Sequence, residues 1–150
     1  MPPDAAPRPL TMIAPGLSFE ELKENFALLD DWEDRYRYLI DLGRKLPPFP
    51  AAFQTDAYKV RGCMSQVWLV PGRADDGAFS FAADSDAHIV KGLIAVLGVL
   101  FAGRPPSDVA KIDAENAFRD LGLDQHLSPS RRNGLVAMVQ KIKHYAAAQT

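Results

Sequence analysis

The residues from Ile89 to Phe101, with the sequence IVKGLIAVLGVLF, decide the fold of this chain. Apolar side chains occupy so many of these positions that a helix formed here is apolar nearly all the way round. Such a helix has to be buried at the centre of the domain. The longest apolar run, Gly92 to Gly103, is shorter than the roughly 20 residues that a bilayer requires, and Lys91 precedes it. The pattern therefore predicts a core helix and no membrane span.

Two helices are predicted before the central one. Ser18 and Glu21 form a capping-box pattern at the start of the first helix. The pair Asp30-Asp31 interrupts the helical spacing of apolar residues, and a second helix is predicted to begin at Trp32. Gly43 can end this second helix, because glycine is favoured just after the last helical turn.

A small antiparallel sheet is predicted between these helices and the central one. Ser65–Val70 and Ala78–Ala82 have strand-like composition and alternation. Turns are predicted at Pro71-Gly72 and at Asp75–Gly77, and Tyr58–Val60 is predicted as a third strand. Helices that bracket a small antiparallel sheet define an α+β fold.

The remaining helix boundaries follow from capping signals. Residues 84–86, Asp-Ser-Asp, can supply the cap of the central helix, and Ser107 and Asp113 can cap two shorter helices after it. Ser128 followed by Pro129 begins the last helix. Its predicted core positions are Leu135, Met138, Val139, Ile142 and Tyr145 or Ala146.

Length and charge limit the classes of function. A chain of 150 residues suits one domain, predicted from Ser18 to Thr150, after a flexible Pro- and Ala-rich tail over Met1–Leu17 that lacks the features of a signal peptide. With 17 Lys+Arg against 19 Asp+Glu, the chain lacks the basic excess of nucleic-acid-binding proteins. A single cysteine permits no internal disulfide, as in a reducing compartment. We expect a cytoplasmic protein that binds neither nucleic acid nor membranes.

Metal and cofactor motifs are not found in the sequence. The three histidines, His88, His126 and His144, are scattered without ligand spacing, and there is no second cysteine to complete a site. The sequence has no Gly-rich phosphate loop, no Gly-x-Ser-x-Gly elbow and no lysine motif typical of pyridoxal phosphate enzymes. We therefore expect no bound metal and no cofactor in this chain.

The single cysteine, Cys63, is the candidate reactive group. It follows Gly62 and lies near the cations Lys59 and Arg61, which favour the reactive thiolate form. A lone cysteine in a soluble protein is more often a small buried apolar residue, and the residue type alone favours that interpretation. Gly62 favours a turn or bulge, so it raises the expectation that Cys63 lies at the tip of a loop.

The sequence resembles the SufE/CsdE family of sulfur acceptors for cysteine desulfurases, over about Ser18 to Ala148. The motifs that carry the resemblance are Gly62–Trp68, Asp84–Ala87 with Ile89–Val96, and His126–Arg131 with Gly134-Leu135 and Ala137-Met138. Three motifs that agree in order and spacing are far more specific than any one of them. Met64 departs from the pattern, because the family more often has a polar residue there. The resemblance implies the same α+β architecture, a SufE/U-type scaffold-like fold.

The resemblance also implies a chemistry for Cys63. The thiol would take sulfur from the persulfide of a cysteine desulfurase and pass it to an iron–sulfur scaffold or another sulfur acceptor. Any pyridoxal phosphate would belong to the desulfurase. The loop around Arg61, Gly62, Met64 and Gln66 would shelter the thiol at rest and present it on docking.

Two acidic residues and one basic residue are the remaining candidates. Asp84 and Asp86 have an ordinary explanation as helix-capping acids, and the resemblance implies that they also hold the cysteine loop. Arg131 and Arg132 lie at the start of the last helix, where the helix dipole disfavours cations. They either extend into solvent or, as the resemblance implies for Arg131, dock an acidic patch of the desulfurase.

Two other functions remain open. The first is an iron–sulfur scaffold, which requires several ligands and which one cysteine could provide only by sharing a cluster between subunits. The second is an allosteric activator that binds the desulfurase while Cys63 takes no part.

Overall fold

A computed structural model describes residues 10–62 and 65–150. Seven α-helices and a two-stranded antiparallel sheet lie within those residues, which confirms the predicted α+β class. The elements are α1 (Phe19–Ala27), α2 (Trp32–Arg44), a 3-10 turn (Ala51–Phe53), β1 (Val67–Arg73), β2 (Phe79–Ser85), α3 (His88–Phe101), α4 (Pro106–Val109), α5 (Ala114–Asp120), α6 (Leu123–His126) and α7 (Pro129–Ala147).

Helix α3 is the central element, as its apolar sequence predicts. It packs against α2 on one side and against β2 and α7 on others, and ten of its 14 residues are buried. None of the helices in the described residues is long and apolar enough to cross a membrane. Burial on several sides explains why the helix carries almost no polar side chain.

The contact between α2 and α3 depends on two glycines. A Cβ added at Gly43 would lie 2.6 Å from the backbone nitrogen of Gly92, and one added at Gly92 would lie 2.6 Å from the carbonyl carbon of Leu39. The prediction that Gly43 ends α2 is wrong, because the helix continues to Arg44 with Gly43 buried inside it. Glycine is present here because the two helix backbones touch, not because the helix stops.

The sheet is longer than predicted. Strands β1 and β2 pair in register from Val67 opposite Ser85 to Arg73 opposite Phe79. The turn predicted at Pro71-Gly72 is therefore wrong, since both residues continue β1. The turn predicted at Asp75–Gly77 is confirmed by the hydrogen bond from Ala74 N to Ala78 O, 2.8 Å.

The segment Tyr58–Val60 runs beside β1 without forming the predicted third strand. It contributes one isolated bridge, Lys59 to Trp68, together with hydrogen bonds from Val60 N to Val67 O at 2.8 Å and from Leu69 N to Tyr58 O at 2.9 Å. Turns immediately before Tyr58 and after Val60 limit the pairing to these few residues.

Several predicted caps are confirmed. The side chains of Ser18, Asp113 and Ser128 accept the expected hydrogen bonds at the starts of α1, α5 and α7. Ser107 was predicted as a cap but lies inside α4, whose N-cap residue is Pro105. Buried positions Leu135, Met138, Ile142 and Ala146 form the core face of α7, and Val139 and Tyr145 are partly buried.

The predicted caps of α3 are also wrong. Its N-cap residue is Ala87, which provides no side-chain cap. Asp84 and Ser85 belong to β2, so they lie too early in the chain to cap α3. The side chain of Asp86 accepts a hydrogen bond from the backbone of Gln66 instead.

Ile13 belongs to the segment that was predicted as a tail, yet it is only 6% exposed. Its backbone N–H donates to Phe81 O at 2.8 Å, and the hydroxyl of Ser80 donates to Ile13 O at 2.6 Å. These contacts attach the chain around Ile13 to β2, so packed structure begins before Ser18.

Candidate functional site

The described residues on the two sides of the single cysteine form two neighbouring arms, and the segment between Val60 and Val67 is called the cysteine loop. Cys63 and Met64 lie outside the described residues, but the chain on both sides of them is positioned. Val60 N donates to Val67 O at 2.8 Å, so the described chain before Cys63 and the described chain after Met64 lie side by side at these two residues. Gly62 has a φ of +90°, a conformation that other residues rarely adopt. The predicted turn at Gly62 is thus confirmed.

The first arm of this loop rests on the middle of α7. A Cβ added at Gly62 would lie 3.5 Å from the Cβ of Ala137, which is ordinary van der Waals contact. Arg61, beside it, is exposed to solvent. The first arm therefore combines a close approach to α7 with a solvent-accessible cation.

The second arm of the loop is fixed to the turn between β2 and α3. The N–H of Gln66 donates to Oδ1 of Asp86 at 3.0 Å, and the N–H of Asp86 donates to the carbonyl of Gln66 at 3.2 Å. Asp86 thus lies where a loop-supporting residue has to be. Gln66 takes part in these two bonds through its backbone, and the residue itself is exposed.

The contacts of Asp84 are with residues outside the cysteine loop. It faces Trp68 across the sheet, accepts a hydrogen bond from Nε2 of Gln54 at 3.1 Å and pairs with Nζ of Lys91 at 3.5 Å. Trp68 is buried, as predicted for a core residue. Asp84 therefore links the segment before Tyr58 to α3, and its effect on the cysteine loop is indirect.

A small cavity lies between the loop and the start of α7. Its volume is about 220 Å³, and Arg131 lines it together with Ser65 of the loop. The remaining lining residues are Val67, Val90, Ser128, Ser130, Gly134 and Met138. The serines were not predicted as cavity residues, because Ser128 was explained by its capping role alone. Arg131, which is exposed, and the loop thus meet at one site.

A tyrosine pair lies on the α7 side of the chain that leads into the loop. Burial raises the pKa of Tyr145 above its ordinary value, and the nearby Tyr58 raises that pKa further. The ammonium of Lys141 lies 5.3 Å from the centre of the Tyr145 ring. A raised pKa keeps the Tyr145 hydroxyl protonated at neutral pH, so it adds no negative charge there.

No group of three or more His, Cys, Asp or Glu side chains within residues 10–62 and 65–150 is arranged to hold a metal ion. His126 instead stacks on the ring of Trp32, with ring centres 3.8 Å apart. The described side chains around the loop offer hydroxyl groups, carboxylates and arginines, which suit hydrogen bonding and ion pairing.

Comparison with known proteins agrees with this architecture. The family model described as "SufE: Fe-S metabolism associated domain" matches residues 20–146. An uncharacterised SufE-like protein of Rhizobium meliloti is 47% identical over 132 residues, which cover 86% of this chain and 94% of the relative. Another, from Rhizobium etli, is 46% identical and also matches 86% of this chain, with 89% of the relative covered.

A solved structure shows the same fold. The solution structure of a hypothetical protein from Thermus thermophilus superposes with a TM-score of 0.70 at 21% identity, covering 87% of this chain and 94% of the other. The family match over most of the chain and the two SufE-like relatives support a role in iron–sulfur metabolism. The chain belongs to the SufE family of domains associated with Fe–S metabolism.

Proposed function

We propose that this protein accepts sulfur from a cysteine desulfurase onto Cys63, stimulates that enzyme and passes the sulfur on for iron–sulfur cluster assembly. The observation that carries the proposal is the sequence position of the only cysteine, between the hydrogen-bonded residues Val60 and Val67 of a SufE-family domain. Because there is one thiol, the sulfur has a single place to bind. The downstream acceptor is an iron–sulfur scaffold or another sulfur-accepting protein.

The proposed reaction is thiol–persulfide exchange. The thiolate of Cys63 attacks the terminal sulfur of a cysteine persulfide on the desulfurase. A new sulfur–sulfur bond forms at Cys63, the sulfur–sulfur bond of the donor persulfide breaks, and the desulfurase cysteine leaves as a thiolate. The proton of the persulfide stays with the transferred sulfur, and no external oxidant or reductant is required.

Positive charge near the loop supports this step. Arg61 in the first arm is exposed, and Arg131 lines the cavity that Ser65 of the second arm also lines. Cations near a thiol favour its thiolate form, which is the attacking species. We assign no cofactor or metal to this chain, and pyridoxal phosphate remains with the desulfurase.

The two arms of the loop suggest how the thiol is presented. The paired hydrogen bonds of Gln66 and Asp86 hold one arm, whereas the other arm passes close to α7 at Gly62, where an added Cβ would lie 3.5 Å from the Cβ of Ala137. Two hydrogen bonds to exposed groups are weak enough for a docking partner to replace. Docking of the desulfurase then releases the sheltered thiol of Cys63 for reaction.

Arg131 is predicted to dock the desulfurase. Arg131→Ala should weaken binding by about 1–3 kcal/mol if the arginine meets a desolvated carboxylate, and the effect should shrink as salt rises. Thermal stability should stay the same or rise slightly, because the replacement removes a cation from the positive end of α7. Calorimetric titration at low and high salt measures the change in affinity, and thermal unfolding measures the change in stability.

The control for this prediction is Arg119→Ala, which removes an exposed cation from the last turn of α5 that does not line the cavity beside the cysteine loop. Its affinity should match that of the wild type. Equal affinity of Arg131→Ala and wild type at low salt would place Arg131 among solvated surface residues.

A turnover assay tests the proposed function as a whole. The cognate desulfurase releases alanine from cysteine, and added wild-type protein should raise the rate of alanine release. The rate should rise with protein concentration and reach a plateau when every desulfurase molecule has a partner. An unchanged rate over the whole range would contradict the proposal.

A further inference from the structure

A groove separate from the cysteine loop runs along one face of α7. Its volume is about 750 Å³, within the range of roughly 300–1,000 Å³ that is usual for ligand pockets. Its walls are the segment from Ala110 to Glu115 and the α7 face that carries Arg132, Val136 and Lys143. The groove is therefore large enough to receive side chains of another molecule.

Val136 is exposed in this groove. Its side chain is 55% exposed, whereas Leu135 beside it and Met138 nearby on α7 are buried in the core. Among the described residues, Leu28 is the other large hydrophobic residue with high exposure. A single exposed apolar residue is common on protein surfaces, but Val136 lines a groove of ligand-pocket size, where an apolar side chain of a partner can pack against it.

The charge on the α7 wall indicates what fits the groove. Arg132 lies one helical turn before Val136, so the two side chains share a face. Arg132 is exposed, and the first turn of α7 contains no acidic residue. No acidic side chain in the described residues forms an ion pair with Arg132. The other basic residue on this wall, Lys143, already donates to Ile112 O at 2.8 Å. An incoming carboxylate would thus meet Arg132.

We infer that this groove is a second docking site for the cysteine desulfurase, which inserts an apolar side chain against Val136 and an acidic side chain against Arg132. The inference rests on the proposed function. It is supported by continuity, because Arg131, the predicted docking residue, directly precedes Arg132 and lines the neighbouring cavity. A desulfurase seated over the cysteine loop can therefore reach the groove along the same helix.

The opposite wall limits the orientation of the bound segment. Glu115 lies on that wall and Asp124 of α6 also lines the groove, so an acidic side chain of the desulfurase is repelled by these carboxylates and attracted by Arg132 on the α7 side. Removing a charge from one wall should therefore change the affinity in the opposite direction to removing a charge from the other wall. Removing the charge of Arg132 should weaken binding, whereas removing that of Glu115 should leave binding unchanged or strengthen it.

The test compares the dissociation constants of full-length variants for the cognate desulfurase at low salt. Arg132→Gln should bind about three- to tenfold more weakly, and Val136→Asp at least about tenfold more weakly, because a carboxylate replaces the apolar contact. The matched controls are Arg119→Gln for the lost cation and Leu28→Asp for an exposed apolar residue outside the groove. Both controls should bind as the wild type does. Thermal unfolding of each variant checks that the fold is kept.

The outcomes separate this inference from the proposed function. If wild type gains sulfur on Cys63 while Arg132→Gln and Val136→Asp bind as tightly as wild type, the groove is not a docking site and the carrier function stands. If Glu115→Gln weakens binding as much as Arg132→Gln does, the inference that the desulfurase places an acidic side chain against Arg132 is wrong. If the variants lose affinity although wild type never gains sulfur, the groove docks the desulfurase and the carrier function fails. Dimerisation of the wild type through Val136, detected by sedimentation, would overturn the inference in favour of a second copy of this chain.

Discussion

Replacing Cys63 with serine should abolish stimulation of the desulfurase. The chain has no second thiol to take over the transfer, and a serine hydroxyl does not form a persulfide. Binding should be nearly unchanged, because the substitution exchanges one atom and leaves Arg61 and Arg131 in place. Stability should change by less than about 0.5 kcal/mol if the thiol lies at a loop tip. Alanine release, calorimetric binding and thermal unfolding measure the three quantities.

This variant also separates the carrier from the allosteric activator. An activator that works by contact alone should stimulate the desulfurase equally well with serine at position 63. If Cys63→Ser binds and still raises the turnover to the wild-type level, sulfur transfer through Cys63 is wrong and allosteric activation is favoured.

Replacing Gly92 with alanine should strongly destabilise the fold. The added Cβ would lie 2.6 Å from the carbonyl carbon of Leu39, so the α2 and α3 backbones would have to move apart. Overpacking usually costs about 1–3 kcal/mol and occasionally more, and alanine recovers up to about 1 kcal/mol through its higher helix propensity. Because the obstructing atoms are backbone and cannot rotate away, we expect a cost of about 3–4 kcal/mol, at or above the upper end of this range, and a net loss of about 2–3 kcal/mol. The melting temperature should fall by about 4–12 °C.

The control for this prediction is Gly16→Ala. A Cβ at Gly16 would have no heavy atom within 4 Å, and its φ lies outside the left-handed region. Its stability should equal or slightly exceed that of the wild type. A loss at Gly92→Ala no larger than that at Gly16→Ala would show that the two helices are not in backbone contact.

Local patterns predicted much of the fold. The capping side chains of Ser18 and Ser128 act within three residues of themselves, so the sequence alone identifies them. The apolar sequence of α3 predicted its central burial, since one element suffices for that argument. Predictions failed where a contact between residues far apart in sequence determines the local structure. Gly43 was interpreted as a helix end because its packing against Gly92 depends on two helices far apart in sequence.

The same distinction applies to the candidate site. Gly62 was predicted to form a turn because glycine adopts a positive φ locally, and the structure confirms that turn. Asp84 and Asp86 were treated together, yet their partners are Lys91 and the backbone of Gln66, respectively. Which of the two contacts the loop depends on the register of β2 beside β1, and the sequence patterns that predicted the antiparallel pair do not determine that register. The role of the site residues in sulfur transfer remains a prediction.

The mass of the protein after reaction with its desulfurase tests the central claim most directly. Wild-type protein incubated with the desulfurase and cysteine should gain one sulfur atom, about 32 Da, on the peptide that contains Cys63, and dithiothreitol should remove it. A scaffold would instead bind iron and absorb visible light. An unmodified Cys63 while the desulfurase turns over rapidly in the presence of the protein would contradict the account.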